Sequence, residues 1–310
     1  MTLVSPETGL IQHMALRGGR MQALACAKSP LPVIFLRQLP WVSDQAQPDG
    51  SPMTPPAQQP SCTPFVWPDR EAAFYAEHLA ASNYVERVGG RLLELFGPQS
   101  QLLDIGAGSG ILGRHLLAPG GQWTVVEPNA FMRGSIQQLA AQAPAVELSL
   151  HDGLWQDLAA LALSPAPTVL CANIPVSDGQ AHAFLEQVRP LATQTLIWNL
   201  PAQEGPRTYC LSGFLPPQLH GSDMTPGYQL TLAELSDRWQ PDHIHFTDWA
   251  FSTLFASPEA ALMHFMEKLG ALDGAAQGLL ERHVQDRLQK VPGGWLASAP
   301  KRAASLIWQS

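Results

Sequence analysis

Asp104-Ile105-Gly106-Ala107-Gly108-Ser109-Gly110 is the stretch on which the fold turns. A carboxylate sits near the end of a short apolar run, residues 102–105, and glycines follow at every second position. Alternating glycines let a backbone turn sharply and come close to a ligand. Residues 111–117 have helical spacing, so the free amides and positive dipole end of a helix open onto the same loop. Glu127 ends a second apolar run, 123–127. In an open parallel sheet two such strand ends lie side by side at the carboxyl edge, and an acidic residue on the second can accept both hydroxyls of a ribose. The stretch points to a nucleoside ligand.

The same alternation extends in both directions. Upstream, Phe74, Leu79, Val85, Val88, Leu92, Leu95 and Phe96 follow helical spacing behind Asp69, which reads as a cap, and Gly89-Gly90 separates two helices or kinks one. Downstream, the pattern predicts helix over 129–142, strand over 146–150, helix over 154–161, strand over 168–172, helix over 180–188 and strand over 195–198. Strands alternating with helices of this length imply a parallel sheet covered on both faces by right-handed crossovers. Residues 201–242 interrupt the series, and their Pro- and Gly-rich first part, 201–227, suits a lid over the strand ends. A strand over 243–255, helices over 258–269 and 275–289, and a last strand over 304–308 follow. The expected fold class is α/β, doubly wound, in one domain spanning 69–310.

Composition narrows the function. Hydrophobic residues make up 45% of the 310, enough for a sizeable core, while charged residues are only 14% against about 25% in an average globular chain. The net charge is −8. Residues 1–60 hold four basic and three acidic side chains, so residues 61–310 hold 14 and 23, a net of −9. Such an acidic domain has no broad attraction for DNA, RNA or an anionic membrane surface. The sequence has no apolar run of about 18 residues, the length a transmembrane helix needs. Cys26, Cys62, Cys171 and Cys210 lie far apart, with no Cys-x-x-Cys pair. No disulfide framework or zinc ribbon is expected, and a reducing, cytoplasmic location is.

Ten of the 28 prolines fall between Pro30 and Pro68. Each removes a backbone donor and restricts its predecessor, so residues 1–68 read as a flexible, disordered, Pro-rich leader or linker. Within them, 14–39 carries Arg17, Arg20, Lys28 and Arg37 and no acidic residue, which fits a targeting segment, while Met53 fits a later start. Both readings of residues 1–52 stand beside that of a plain leader.

The register of the glycine loop discriminates between nucleoside ligands. Gly108-Ser109-Gly110-Ile111-Leu112-Gly113 matches the dinucleotide pattern G-x-G-x-x-G. Counted from the glycine directly after the strand, however, the third position is Ile111, too large for the close helix contact. Asp104 would also set a negative charge near a pyrophosphate. A ligand with an ammonium group and no phosphate suits it better, as S-adenosyl-L-methionine does.

At these residues the chain resembles the class I S-adenosylmethionine-dependent methyltransferases. Residues 102–110 look like their first motif, and Val125-Val126-Glu127-Pro128-Asn129 looks like their second. The resemblance implies a mostly parallel seven-stranded sheet with an antiparallel final strand, and methyl transfer from S-adenosyl-L-methionine. It implies that Asp104, Gly106, Ala107, Gly108 and Gly110 serve the methionine part and that Glu127 and Pro128 border the ribose. His151-Asp152-Gly153-Leu154 matches the family's adenine position, where Asp152 would accept from the exocyclic amine beside Gly153. Read without the family, Asp152 caps the helix over 154–161 and Asp104 caps the glycine loop.

Cys171-Ala172-Asn173-Ile174-Pro175-Val176 is similar to the Asn-x-Pro-aromatic motif of methyltransferases that act on amino nitrogens, with Asn173 beside the cofactor. Val176 stands where the stacking ring belongs. The acidic domain and the lid favour a small-molecule acceptor, or a residue of a partner protein, over nucleic acid. The alternatives are amino-group methylation of nucleic acid and a noncatalytic cofactor-binding partner protein. His243-Ile244-His245 lacks a recognisable third ligand, so no metal is expected. Trp239, Trp249, Phe251 and Phe255 read as core or pocket wall, Tyr75 as cofactor cover or core, and Cys210 as a thiol that nothing nearby activates. No residue is assignable as a general base.

Deleting residues 1–60 is expected to leave folding and S-adenosyl-L-methionine affinity nearly intact, because that stretch has little means of joining the sheet. Thermal melting of the truncated chain checks this; a large drop would show the leader packed on the domain.

Overall fold

The computed structural model describes residues 67–142, 146–174, 176, 179–204, 210–219 and 225–310. Most of the expected leader, with Cys26, Cys62 and Met53, lies outside the described residues, as do Pro175 and, within the stretch expected to form a lid, residues 205–209 and 220–224. In chain order the elements are α1 (Asp69–Ala81), α2 (Gly90–Phe96), β1 (Gln99–Ile105), α3 (Ile111–Leu116), β2 (Leu117–Val126), α4 (Ala130–Ala141), β3 (Glu147–His151), β4 (Ala166–Ala172) and α5 (Ala181–Val188). They continue with β5 (Ala192–Pro201), α6 (Gly227–Glu234), β6 (His243–Phe255), α7 (Pro258–Leu269), α8 (Gly274–Arg287), β7 (Gln289–Val291) and β8 (Gly294–Gln309).

Seven strands lie in the order β3-β2-β1-β4-β5-β8-β6, and the short β7 hairpins onto β8. β1 to β5 pair in parallel, whereas β8 runs antiparallel to both β5 and β6. The doubly wound expectation holds, with the antiparallel last strand slotted between β5 and β6.

Side chains alternate faces along a strand, and the core divides accordingly. On one face Leu102, Trp123, Leu170 and Ile307 pack with Leu92 of α2, Ile136 of α4, Phe265 of α7 and Leu280 of α8. On the other, Leu103, Val169, Trp198 and Leu306 pack with Phe184, Leu185 and Val188 of α5. Trp198 and Phe184 rings meet at 4.4 Å between centroids. Full burial of one such large apolar side chain contributes about 1.5–3 kcal/mol. Because β1 to β5 are parallel, their carboxyl ends share one edge of the sheet. No helix among the described residues is long and apolar enough to cross a membrane.

Four local expectations change. The helix over 154–161 is instead a single 3-10 turn, Trp155–Asp157, in which the Asp157 carboxylate accepts from Leu154 N at 3.2 Å. A side chain that bonds its own backbone in this way competes with helix propagation. Asp69 does not cap α1; it is the first helical residue, and its carboxylate accepts from Asn129 Nδ2 at 3.2 Å. The upstream helical run breaks at Ser82, which ends α1, and at Gly89-Gly90, where one helix was expected to end or kink, a π turn, Val85–Gly89, passes directly into α2. The last strand begins ten residues earlier than the expected position 304, at Gly294.

Gly113 on α3 marks the tightest contact behind the glycine loop. A Cβ there would fall on Asp104 Oδ2 and lie 3.1 Å from Trp123 Nε1. Gly113→Ala is therefore expected to lower the unfolding free energy by about 1–3 kcal/mol, the usual cost of overpacking. Urea denaturation with an unchanged midpoint would show that α3 yields at no cost.

Candidate functional site

The ends of β1 to β5 surround a cavity of about 420 Å³, within the roughly 300–1,000 Å³ usual for small-molecule sites. Gly106, Ala107, Gly108, Glu127, Pro128, Gly153 and Asn173 line it, as their sequence positions imply; Asp104, Gly110 and Asp152 do not. The glycines divide the work. Gly108 has φ +58 and open space on the side where a Cβ would project, so it keeps the cavity floor clear. Gly110 has φ +77, and a Cβ there would meet Ile136 at 2.7 Å and Trp123 at 2.9 Å. Its place is to let α3 close on β2 and α4.

Glu127 is only 6% exposed. Its Oε2 accepts from Gly108 N at 2.8 Å and its Oε1 from Asn129 N at 2.9 Å. Burial pushes the Glu127 carboxyl above its ordinary value, while the two amides and Arg133 oppose that shift. Each carboxylate oxygen has taken one donor and has capacity for another. This is the arrangement that can receive a vicinal diol.

Asn129 fixes the surroundings. Its Oδ1 caps α4 through Met132 N at 2.9 Å, and its Nδ2 donates to Trp67 O at 2.9 Å. Arg133 Nη1 donates to the carbonyls of Glu127 and Pro128 at 2.9 and 2.8 Å and pairs with Asp152 Oδ1 at 2.9 Å. Asp152 thus caps no helix, since none follows it. It sits outside the cavity wall, braced on Arg133.

Asp104 is 1% exposed, and its Oδ2 has no hydrogen-bond partner. Burial raises its pKa from 3.8 to about 7; the nearby Trp123 indole N–H holds it down in part, and the charge of Glu127 adds to the rise. It lies behind the loop, against Gly113 of α3.

The opposite side of the cavity is aromatic. Tyr75, Tyr84, Trp249 and Phe251 line it, with Tyr84 and Trp249 centroids 4.7 Å apart and Tyr75 stacked on Phe251 at 6.2 Å. Tyr75 therefore does cover the cavity, and Trp249 and Phe251 are its wall; Phe255 and Trp239 belong to the cores on either face of the sheet. Asn173 has φ +54, and its Nδ2 donates to Tyr84 Oη at 3.2 Å. Asn173 N donates to Asn199 O at 2.9 Å, and Asn199 Nδ2 donates to Ser305 Oγ at 2.9 Å. Burial pushes the Tyr84 phenol well up. Burial also takes the Cys210 thiol, another lining residue, to about 11 despite nearby Lys301. Both stay protonated near neutrality.

Sequence reasoning missed Trp67, Tyr84 and Lys301 as lining residues. For Lys301 a signal exists: Ala297, Ala299, Lys301 and Ala303 alternate along β8, and all four are buried. His243 and His245 stand on edge strand β6 with ring centroids 6.3 Å apart, away from the cavity.

No protein-family model matches the chain, and no curated protein sequence does. Solved structures are similar at low identity. The C-terminal domain of precorrin-6Y C5,15-methyltransferase from Rhodobacter capsulatus is 14% identical over 72% of this chain and 88% of that one, with a TM-score of 0.38. The precorrin-6y C5,15-methyltransferase from Geobacter metallireducens GS-15 is 13% identical over 72% and 88%, at 0.40. The YcgJ protein of Bacillus subtilis is 11% identical over 72% and 98%, at 0.41. The strand order of the sheet, with its antiparallel insertion, agrees with the arrangement that the sequence resemblance implies.

Asp104 ties stability to pH. Between its ordinary 3.8 and its folded value of about 7, the native state keeps a proton that the unfolded chain has lost. Stability contributed by this group therefore falls as pH rises through that window, by up to about 1.4 kcal/mol per pH unit, and is level on either side. Asp104→Asn cannot ionise. Its melting temperature, in ligand-free protein, is expected to gain on the parent from about pH 5 to pH 7 and to keep a constant lead above that. Parallel curves would show Asp104 titrating as an ordinary carboxyl.

Proposed function

We infer that the protein transfers a methyl group from S-adenosyl-L-methionine to a small molecule. The observation that carries this reading is the Glu127 carboxylate, held at the cavity wall by Gly108 N and Asn129 N with acceptor capacity left on both oxygens. Glu127 would take the ribose hydroxyls. Gly106, Ala107 and Gly108 would pass along the methionine part, where the bare Gly108 leaves room. Met132, Leu154 and Trp155, which also line the cavity, supply apolar walls for the adenine beside Pro128 and Gly153. Asp104 would act from behind the loop rather than as a contact, and a positively charged ligand nearby would favour its ionised form, which at about 7 it has only in part near neutrality.

When bound, the cofactor supplies a methyl group already activated by a positively charged sulfur. What the chain adds is alignment and exclusion of water. Alignment of reacting groups is worth roughly 7–11 kcal/mol in favourable cases. Asn173 and Tyr84, joined by their hydrogen bond, form a rigid polar element between the cofactor side and the aromatic side. The aromatic wall and the acidic domain both favour a small acceptor over nucleic acid.

Glu127→Ala removes two charge-assisted hydrogen bonds, each worth roughly 1.5–3 kcal/mol. Affinity for S-adenosyl-L-methionine is expected to fall at least about tenfold, with Glu127→Gln between the parent and the alanine variant. Calorimetry on variants shown to be folded is the check, and an unchanged affinity would sink the assignment. Formation of S-adenosylhomocysteine in the presence of a metabolite fraction then reports turnover.

A further inference from the structure

Lys301 is a cation that nothing in the reading so far employs. It lines the cavity, is 9% exposed, and sits on β8 directly opposite Trp249 of β6. Other cations at and behind the cavity wall have carboxylates. Arg302 forms two bonds to Asp248 at 2.6 and 3.0 Å, Lys268 meets Glu71 at 2.9 Å, and Arg133 meets Asp152 at 2.9 Å. Lys301 has no hydrogen bond or ion pair among the described residues, and its one electrostatic neighbour of opposite tendency is the Cys210 thiol. That thiol is pushed up to about 11 and is uncharged near neutrality. Burial accordingly depresses the Lys301 ammonium below its ordinary value. An ammonium largely withdrawn from water without a partner is costly, and the cavity that Lys301 lines is where a counter-charge could reach it.

We propose that Lys301 is the counter-charge of the methyl acceptor, a small planar aromatic molecule bearing an acidic oxygen, a carboxylate or a phenolate. This rests on the methyltransferase reading above. The aromatic part follows from the wall beside Lys301, where Tyr84, Trp249 and Phe251 present ring faces and edges to the same space. The anionic part follows from the unpartnered ammonium. A third feature agrees with both. Among the described residues the cavity is lined by no histidine, and its Tyr84 and Cys210 hold their protons, so an acceptor that arrives ionised suits it. The acidic oxygen then forms its bond to the methyl carbon with its own lone pair, while the carbon–sulfur bond breaks and its electron pair passes to sulfur. Oxyanion and sulfonium become neutral ether or ester and neutral thioether, and no proton moves.

The test uses the full chain saturated with S-adenosylhomocysteine, titrated calorimetrically with 2-naphthoate, 4-nitrophenolate and the neutral 2-naphthamide. The two anions are expected to bind at least about tenfold more tightly than the amide. Lys301→Met should erase that preference, leave S-adenosylhomocysteine affinity unchanged and raise the melting temperature of the ligand-free protein; Lys301→Arg should keep part of the preference. Where Lys301→Met does not fold, Lys301→Gln, checked by melting and by S-adenosylhomocysteine titration, replaces it. Absence of a preference for the anions in the parent overturns the proposal, and so does a preference that survives in Lys301→Met. A tenfold loss of S-adenosylhomocysteine affinity in Lys301→Met, roughly 1.4 kcal/mol, also overturns it, because Lys301 would then hold the cofactor's own carboxylate. Failure of the parent to bind S-adenosylhomocysteine at all would count against the methyltransferase reading instead, and naphthoate titrated alone would still report on Lys301.

Discussion

Two backbone amides, Gly108 N at 2.8 Å and Asn129 N at 2.9 Å, hold the Glu127 carboxylate where β2 ends. Through them one buried side chain joins the loop after β1 to the first turn of α4. Asn129 extends the joint to the start of α1, by way of Trp67 O and the Asp69 carboxylate, and Arg133 closes it from behind on the Glu127 and Pro128 carbonyls. A carboxylate this deeply buried would be costly without such donors. With them it becomes a fixed acceptor whose remaining capacity faces the cavity. On the proposed reading, recognition and local folding are carried by the same oxygens, so any change at Glu127 also releases the loop that it shapes.

That joint puts a second carboxylate, Asp104, on the adjacent strand end, with no hydrogen-bond partner for its Oδ2 and with the charge of Glu127 raising its pKa further. Both acidic groups lie toward the end of the cavity formed by β1 and β2. At the other end stands Lys301, while the charge of neighbouring Arg302 is already matched by Asp248. The cavity is therefore polarised. Its inner end suits a donor that carries positive charge, and its outer end suits an acceptor that carries negative charge. Electrostatic complementarity of this kind selects partners more than it adds raw affinity.

Much of this was legible in the chain itself, and the reasons differ by element. Leu102 to Ile105, Val169 to Cys171 and Leu196 to Trp198 are near-continuous apolar runs because parallel strands are buried on both faces, and they stood out at once. The positions of Gly108 and Glu127 followed from the strand ends. Asp152 did not follow, because its neighbour Arg133 lies nineteen residues earlier on α4 and no local rule pairs them. The early part of β8 was hidden for another reason. Ala297, Ser298, Ala299, Pro300 and Lys301 have weak strand propensity, and Pro300 is tolerated only because β8 is paired on one side there, with β6 but not yet with β5.

The same unpaired side explains why Lys301 can serve a ligand. β5 stops at Pro201, opposite Ala303, and it is at this point of β8 that Lys301, Arg302 and Ala303 line the cavity. The period of two then decides which residues face inward: Ala297, Ala299, Lys301 and Ala303 are buried, whereas Pro300 and Arg302 are exposed. Three of the four inward positions hold alanine; Ala297 and Ala299 are fully buried in the core, and Ala303 lines the cavity beside Lys301. Lys301, 9% exposed, is the one charged residue among these inward positions. Methylation of the oxygen that it faces would cancel the charge that held the acceptor in place, so the geometry that binds the substrate has little hold on the product.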